Sequence, residues 1–172
     1  MLFLPELTLL VAGLIIFLVS LGKPDSGMLK NLVLVMITVV VLTTLITMKQ
    51  QGTLFFESYQ INFFTQFFKF LVSASTLVVL IFAGNAPGIK NDIKAEYHLF
   101  LFMGVLGLMM LVSSVELLAI FVSLELSSFA VYILVPMRRS DNGTVFQMEA
   151  GIKYLLFGVM ATGFMLFGMS YL

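Results

Sequence analysis

The sequence predicts an all-α fold: a polytopic transmembrane bundle of six helices with its amino terminus outside the cytoplasm. Three observations predict it. The chain of 172 residues is 60% hydrophobic and only 10% charged, with a mean hydropathy of +1.11, far from the balance of a soluble domain. Its apolar residues gather into runs of about 20, the length that crosses a hydrocarbon core about 30 Å thick as a helix. With six crossings, Lys23, Lys30, Lys90, Lys94, Arg138 and Arg139 fall on one side of the membrane and Lys49 alone on the other. Such a bias marks the basic side as cytoplasmic.

The first run, Leu2 to Gly22, has neither a basic leading segment nor a small-x-small cleavage site, and reads as a retained membrane helix. Pro5 suits a first helical turn and Glu6 the positive end of a helix dipole, so both have a local structural explanation. After the turn Gly22 to Lys30, helix two extends from about Leu29 to Met48. Its Thr38, Thr43, Thr44 and Thr47 can bond to their own helix or across to another. Lys49 to Tyr59 connects to helix three, with Phe55, Phe56 and Tyr59 placed for a membrane interface.

Helix three runs from about Ile61 to Ala83. Asn62, Thr65, Gln66, Lys69, Ser73 and Thr76 recur at three- and four-residue steps and share one face, which should pack on protein. Lys69 lies about 12 Å inside the boundary, near enough for its stem to carry the ammonium outward; a seat on an ion path is the alternative. Gly84 to Glu96 is a polar loop. Helix four spans about Tyr97 to Ser113, with His98 in its first turn either as an interfacial hydrogen-bonding residue or as a proton relay.

Leu99 to Val135 is too long for one crossing, so a reversal at Ser113–Glu116 starts helix five, with Glu116 in its first turn. Pro136 ends that helix, and the polar loop Met137 to Gly143 follows. Helix six occupies about Phe146 to Leu172. Gly151, Gly158, Gly163 and Gly168 permit close helix contacts along it.

Within helix five, the stretch LLAIFVSLELSSFAVYILV (Leu117 to Val135) holds one carboxylate, Glu125, close to the bilayer midplane. A charge there costs about 2.5–3.5 kcal/mol on insertion scales, and such residues mark ion or proton routes by default. Ser128 and Tyr132, at i+3 and i+7, share its face and can orient it or hold a water against it. The structural alternative is a neutral glutamate tied to a nearby hydroxyl. Lys153, two turns inside helix six, falls at an expected axial gap of roughly 6 Å from Glu125. That places a cation where it would move the acid's proton, unless Glu149, at i−4, takes the lysine in an intrahelical pair.

Other chemistry is absent from the sequence. Without cysteine there is no disulfide, thiolate-bound cluster or cysteine nucleophile in this chain. One histidine does not make a metal site, and no nucleotide-binding glycine pattern occurs, so any redox or nucleotide centre belongs to a partner. Nine basic and nine acidic residues cancel, leaving no field that would draw nucleic acid.

SLELSSFAVYILVPMRR, followed by MEAGIKYLLFG, resembles the corresponding stretch of the antiporter-like subunit N family of respiratory complex I, the NADH-quinone oxidoreductase, and of its photosynthetic counterpart. LPE (Leu4 to Glu6) and FFK (Phe67 to Lys69) fit the same family, and the resemblance runs over the whole chain. It implies that Glu125 and Lys153 match the family's buried glutamate and lysine, part of a mid-membrane line of charges that moves protons. It further implies a multi-pass position in a bacterial inner membrane or an equivalent one, beside other membrane subunits and lipid. FMN, iron–sulfur clusters and quinone would then be bound by partner subunits, and no soluble substrate by this chain. Family members are longer, with inverted repeats after three extra helices. The chain would therefore be an N-terminal portion, with residues 1–84 forming the extra helices and 85–172 the start of the first repeat. The later lysines of the line are not in this sequence. Sodium/proton antiporters share the ground plan and set the second reading; a non-transporting membrane scaffold is the third.

Overall fold

A computed structural model describes residues 2–22, 26–83, 88–89, 93–137 and 144–171. In chain order these form helices α1 (Leu4–Leu21) and α2 (Ser26–Thr47), strands β1 (Gly52–Leu54) and β2 (Tyr59–Ile61), and helices α3 (Phe63–Ala83), α4 (Lys94–Ser113), α5 (Leu117–Met137) and α6 (Thr144–Met169). All six helices are long and apolar enough to cross a membrane, as the sequence leads one to expect. Lys23, Lys90, Arg138 and Arg139, which carry most of the expected orientation, lie outside the described residues, as do the central parts of their loops.

In lipid, burying an apolar side chain against another helix gains little hydrophobic free energy, so close packing must hold the bundle together. Each carbon pair in contact contributes only about 0.1–0.2 kcal/mol. The pattern of buried residues shows how the contacts accumulate. Leu9, Ala12 and Ile16 of α1, Leu29, Val33, Ile37 and Val40 of α2, and Phe102, Val105, Leu106 and Met109 of α4 form one core, each set spaced to fall on a single helical face. Gly104 and Gly107 let α5 approach α4: a Cβ on Gly107 would stand 2.6 Å from the Ser127 backbone nitrogen. Beyond them α6 packs principally on α5, and most of its described side chains are exposed.

In its connections and helix ends the structure departs from the sequence expectations at the α2–α3 connection, at Tyr59 and at Pro136. The connection between α2 and α3 is an antiparallel hairpin, with Gly52 opposite Ile61 and Leu54 opposite Tyr59. Its turn holds Phe55, Phe56 and Glu57 at φ 52, 54 and 70, a left-handed conformation costing non-glycine residues of order 1–3 kcal/mol each. No glycine announces it. Tyr59, expected at an interface, is 4% exposed, and its ring packs edge-on against Phe3 and Phe55 with centroids 5.8 and 6.2 Å away. Pro136 sits inside the last turn of α5 rather than ending it, with its ring against Gly151.

The reversal expected at Ser113–Glu116 is present, and the hairpin holds it. Val115 N donates to Ser58 O at 3.0 Å, and Tyr59 forms a β-bridge with Ser114. The starts of α1, α3 and α5 and the end of α4 therefore meet beneath one small cap.

Candidate functional site

Glu125 lies about 12 Å from the start of α5, at 1.5 Å per residue. It is half-buried, and its Oε1 accepts a hydrogen bond from Thr162 Oγ1 at 2.8 Å. Thr162 also donates to the Gly158 carbonyl of its own helix at 3.1 Å, so one hydroxyl serves both the backbone and the acid. Neither of the expected hydroxyls is needed for this contact. Ser128 is half-buried one turn away. Tyr132 lays its ring over Gly158, where the glycine leaves no Cβ to obstruct it, and meets Tyr154 edge-on at 5.3 Å.

Those contacts fix the register of α5 on α6, and the register corrects the expected Glu125–Lys153 spacing. Pro136 touches Gly151, Tyr132 touches Gly158, and Glu125 meets Thr162. Lys153, nine positions before Thr162 in the sequence, therefore lies about 14 Å along α6 from the level of the acid, not about 6 Å. The expectation aligned the ends of the two helices; α6 instead starts beyond the end of α5. The Lys153 ammonium pairs with Glu149 Oε1 at 2.5 Å, the two side chains 66% and 53% exposed. The intrahelical alternative is the observed one.

Lys69 departs further from expectation. It does not snorkel: its side chain is fully buried and its ammonium meets Glu6 Oε1 at 2.5 Å, with Glu6 equally buried. Tyr59 donates its hydroxyl to the same oxygen at 2.6 Å, and its ring lies 4.9 Å from the Lys69 ammonium, within cation–π range. Burial, reinforced by the adjacent carboxylate, raises the Tyr59 hydroxyl above its ordinary pKa. The expected polar face of α3 turns inward at Thr65, Gln66, Lys69, Ser73 and Thr76, which are all buried, whereas Asn62, expected on the same face, precedes the helix and is exposed.

His98 is 6% exposed, and its Nδ1 donates to the Lys94 carbonyl at 2.6 Å, a tie within its own helix. Because α4 starts at Lys94, three residues earlier than expected, this histidine lies inside the helix and has a structural occupation. Among the described residues no group of three or more His, Cys, Asp or Glu is arranged to hold a metal ion.

Sequence reasoning missed Thr162, and it gave Glu6 and Tyr59 only local roles. The register that brings Thr162 to Glu125 has no short-range signature. Glu6 and Lys69 did leave a trace: they are charges of opposite sign near the starts of α1 and α3, two helices that must run in the same direction.

Membrane-length helices with a half-buried acid in one span and a buried ion pair joining two others define a multi-pass helical membrane protein with titratable groups enclosed in its spans. Residues 114–172 match the family model for the membrane domain of NADH:quinone oxidoreductase and Mrp antiporters. Subunit N 2 of NADH-quinone oxidoreductase from Opitutus terrae is 39% identical over 170 residues, covering 99% of this chain and 36% of that relative. The corresponding protein of Solidesulfovibrio magneticus is 36% identical over 98% of this chain and 35% of its own length. In fold, the chain matches part of respiratory complex I from Thermus thermophilus, a structure determined with bound aureothin, at a TM-score of 0.77 and 23% identity, covering 96% of this chain and 35% of that one. The chain belongs to the subunit N family of NADH-quinone oxidoreductase. It spans about a third of the length of the curated relatives it matches.

Proposed function

We propose that this chain works within a proton-translocating NADH:quinone oxidoreductase of a bacterial inner membrane or an equivalent one, and that Glu125 carries protons there. The observation that carries the reading is the half-buried Glu125 carboxylate, deep in α5 and bonded across the helix interface by Thr162. An acid so placed exchanges a proton only where water or another titratable group can reach it, and its partial exposure within this chain supports that access. The neutral hydroxyl of Thr162 orients the carboxylate without fixing its charge, as an ammonium at 2.5 Å would.

Lys153 is the second member of the proposed charge line, at a different depth from Glu125. Its ammonium stands on an uncovered face of α6, where further helices of the full-length subunit would meet it and compete with Glu149. Loss of the Glu149 pair would free one positive charge to act on the next titratable group. The three N-terminal helices, residues 1–84, form a supporting unit, and residues 85–172 begin the translocating repeat, with the amino terminus outside. FMN, iron–sulfur clusters and quinone belong to partner subunits, and the other membrane subunits and lipid are this chain's own neighbours.

A cation/proton antiporter remains the second reading because the matched family description includes Mrp antiporters; the relatives named above favour the oxidoreductase. Glu125→Gln in the full-length subunit keeps the shape of the side chain and removes its titration. We expect normal assembly and quinone reductase activity with proton pumping in membrane vesicles reduced at least about tenfold, the scale of losing a positioned proton-transfer group. Undiminished pumping overturns the reading.

A further inference from the structure

The Glu6–Lys69 pair is not complete as an ion pair. Glu6 Oε1 is held twice, by the Lys69 ammonium at 2.5 Å and the Tyr59 hydroxyl at 2.6 Å. The other oxygen, Oε2, is buried without a hydrogen-bond partner among the described residues, and so are both amide atoms of Gln66 and the Ser113 hydroxyl. Apart from Glu6, the Lys69 ammonium has no acceptor there either. Gln66 and Ser113 are 0% and 1% exposed. Gln66 shares the face of Lys69 one turn away, and Ser113 stands beside Tyr59. These atoms therefore converge on one place: beneath the hairpin, near the starts of α1 and α3.

Buried polar atoms without partners cost about 1–3 kcal/mol each in proteins, and a cluster of them is the usual setting of internal water, which makes two to four hydrogen bonds. The available groups suit it: Oε2 and the Gln66 carbonyl accept, while the Gln66 amide and the ammonium donate. Two of the groups are also titratable, and among the described residues their charges are balanced by each other.

We propose that Glu6, Lys69, Tyr59 and Gln66 form a second, hydrated proton-exchange site, separate from Glu125 and on the side of the membrane where α1 and α3 begin. A proton arrives on water and binds the free oxygen Oε2, leaving a neutral carboxyl beside the Lys69 ammonium. It departs by the reverse transfer to water, which restores the ion pair. Tyr59, held neutral against Oε1, keeps the carboxyl oriented while Oε2 exchanges. Phe3 and Phe55 pack edge-on against the Tyr59 ring and hold it in place. The exchange role rests on the proton-translocating reading; the hydration does not.

Two measurements on the intact complex test the proposal. A structure of the wild-type enzyme at a resolution that shows ordered water should place water against Glu6 Oε2, Gln66 and the Lys69 ammonium; a dry pocket overturns the proposal. Glu6→Gln/Lys69→Met removes both charges together and so avoids a lone buried ion. The assembled double variant should reduce quinone at the wild-type rate with a lowered proton-to-electron ratio, because an ionisable residue inside a membrane span is functional by default. An unchanged ratio makes the pair structural and overturns the exchange role. Should the double variant not assemble, Gln66→Leu, which removes the amide offered to the water and keeps both charges, is measured in its place: a lowered ratio is expected, and an unchanged one overturns the exchange role. Glu125→Gln, measured alongside, separates the readings: if it lowers the ratio and the double variant does not, only the second site fails.

Discussion

Two Glu–Lys pairs in this molecule have the same 2.5 Å separation and opposite physical meaning. Glu149 and Lys153 face outward from one helix, with side chains 53% and 66% exposed; Glu6 and Lys69 join two helices and are wholly buried. Exposed pairs gain little, because water solvates both partners as well as they solvate each other. A buried pair gives up that hydration, an effective penalty of several kcal/mol per ion, and holds only while both charges stay. Distance therefore says little about what an ion pair does, and burial says most. Glu125 lies between the extremes, half-buried and bonded to the neutral hydroxyl of Thr162.

The largest expected effect follows from breaking the buried pair on one side only. Lys69→Ala strands the Glu6 carboxylate and should cost about 3–5 kcal/mol, seen as loss of assembled subunit and a lower unfolding temperature in detergent. Lys153→Ala should leave both unchanged. Equal losses from the two substitutions would show that burial does not separate them.

The helix seams distinguish the same two regions by steric means. Gly107→Ala drives a methyl into the backbone of α5 at Ser127, and should destabilise by about 1–3 kcal/mol despite alanine's helix advantage of about 1 kcal/mol. Gly163→Ala, with nothing within 4 Å of the new carbon, should show only that advantage in this segment. Comparative thermal unfolding of the two variants checks the contrast.

A smaller effect is expected at the acid of α5. Thr162→Val keeps the shape and removes the donor to Glu125, costing about 0.5–1.5 kcal/mol and lowering pumping less than Glu125→Gln does. Proton uptake by reconstituted vesicles orders the two.

The smallest effect concerns pH. Tyr59 ionises less readily in the folded protein than its ordinary value of 10.0 allows, because burial and then Glu6 oppose the phenolate. A raised folded pKa contributes stability that is complete below the unfolded value and declines as pH rises above about 10. Stability measured from pH 8 to 11 should therefore fall less steeply in Tyr59→Phe than in the parent, and identical slopes would contradict the assignment.

Much of this architecture was legible in the residues. Runs of membrane length gave six helices, and the length of Leu99–Val135 located the reversal at Ser113–Glu116 without help from glycine or proline. The step pattern from Thr65 to Thr76 identified the protein-facing side of α3. The hairpin was not legible, because Phe55, Phe56 and Glu57 adopt a turn that residues of their type avoid, held there by rings and backbone bonds from distant segments. Glu125 stood out because an acid among apolar residues needs no partner to be conspicuous. Its partner Thr162 was hidden by register: helix ends can be read to within a turn, and an error of about five residues moves a contact by about 7 Å. The same error brought Lys153 too close to Glu125. Lys69 was misplaced for another reason, since a snorkelling stem and a buried pair look alike until the helix carrying Glu6 is set beside it.

The most direct test of the central claim is difference infrared spectroscopy on the complete complex during turnover, with Glu125→Gln as the control. A working proton carrier predicts a carboxyl band that changes between resting and turning-over enzyme, shifts in D2O and disappears in the variant. A spectrum in which wild type and variant are superimposable would contradict it.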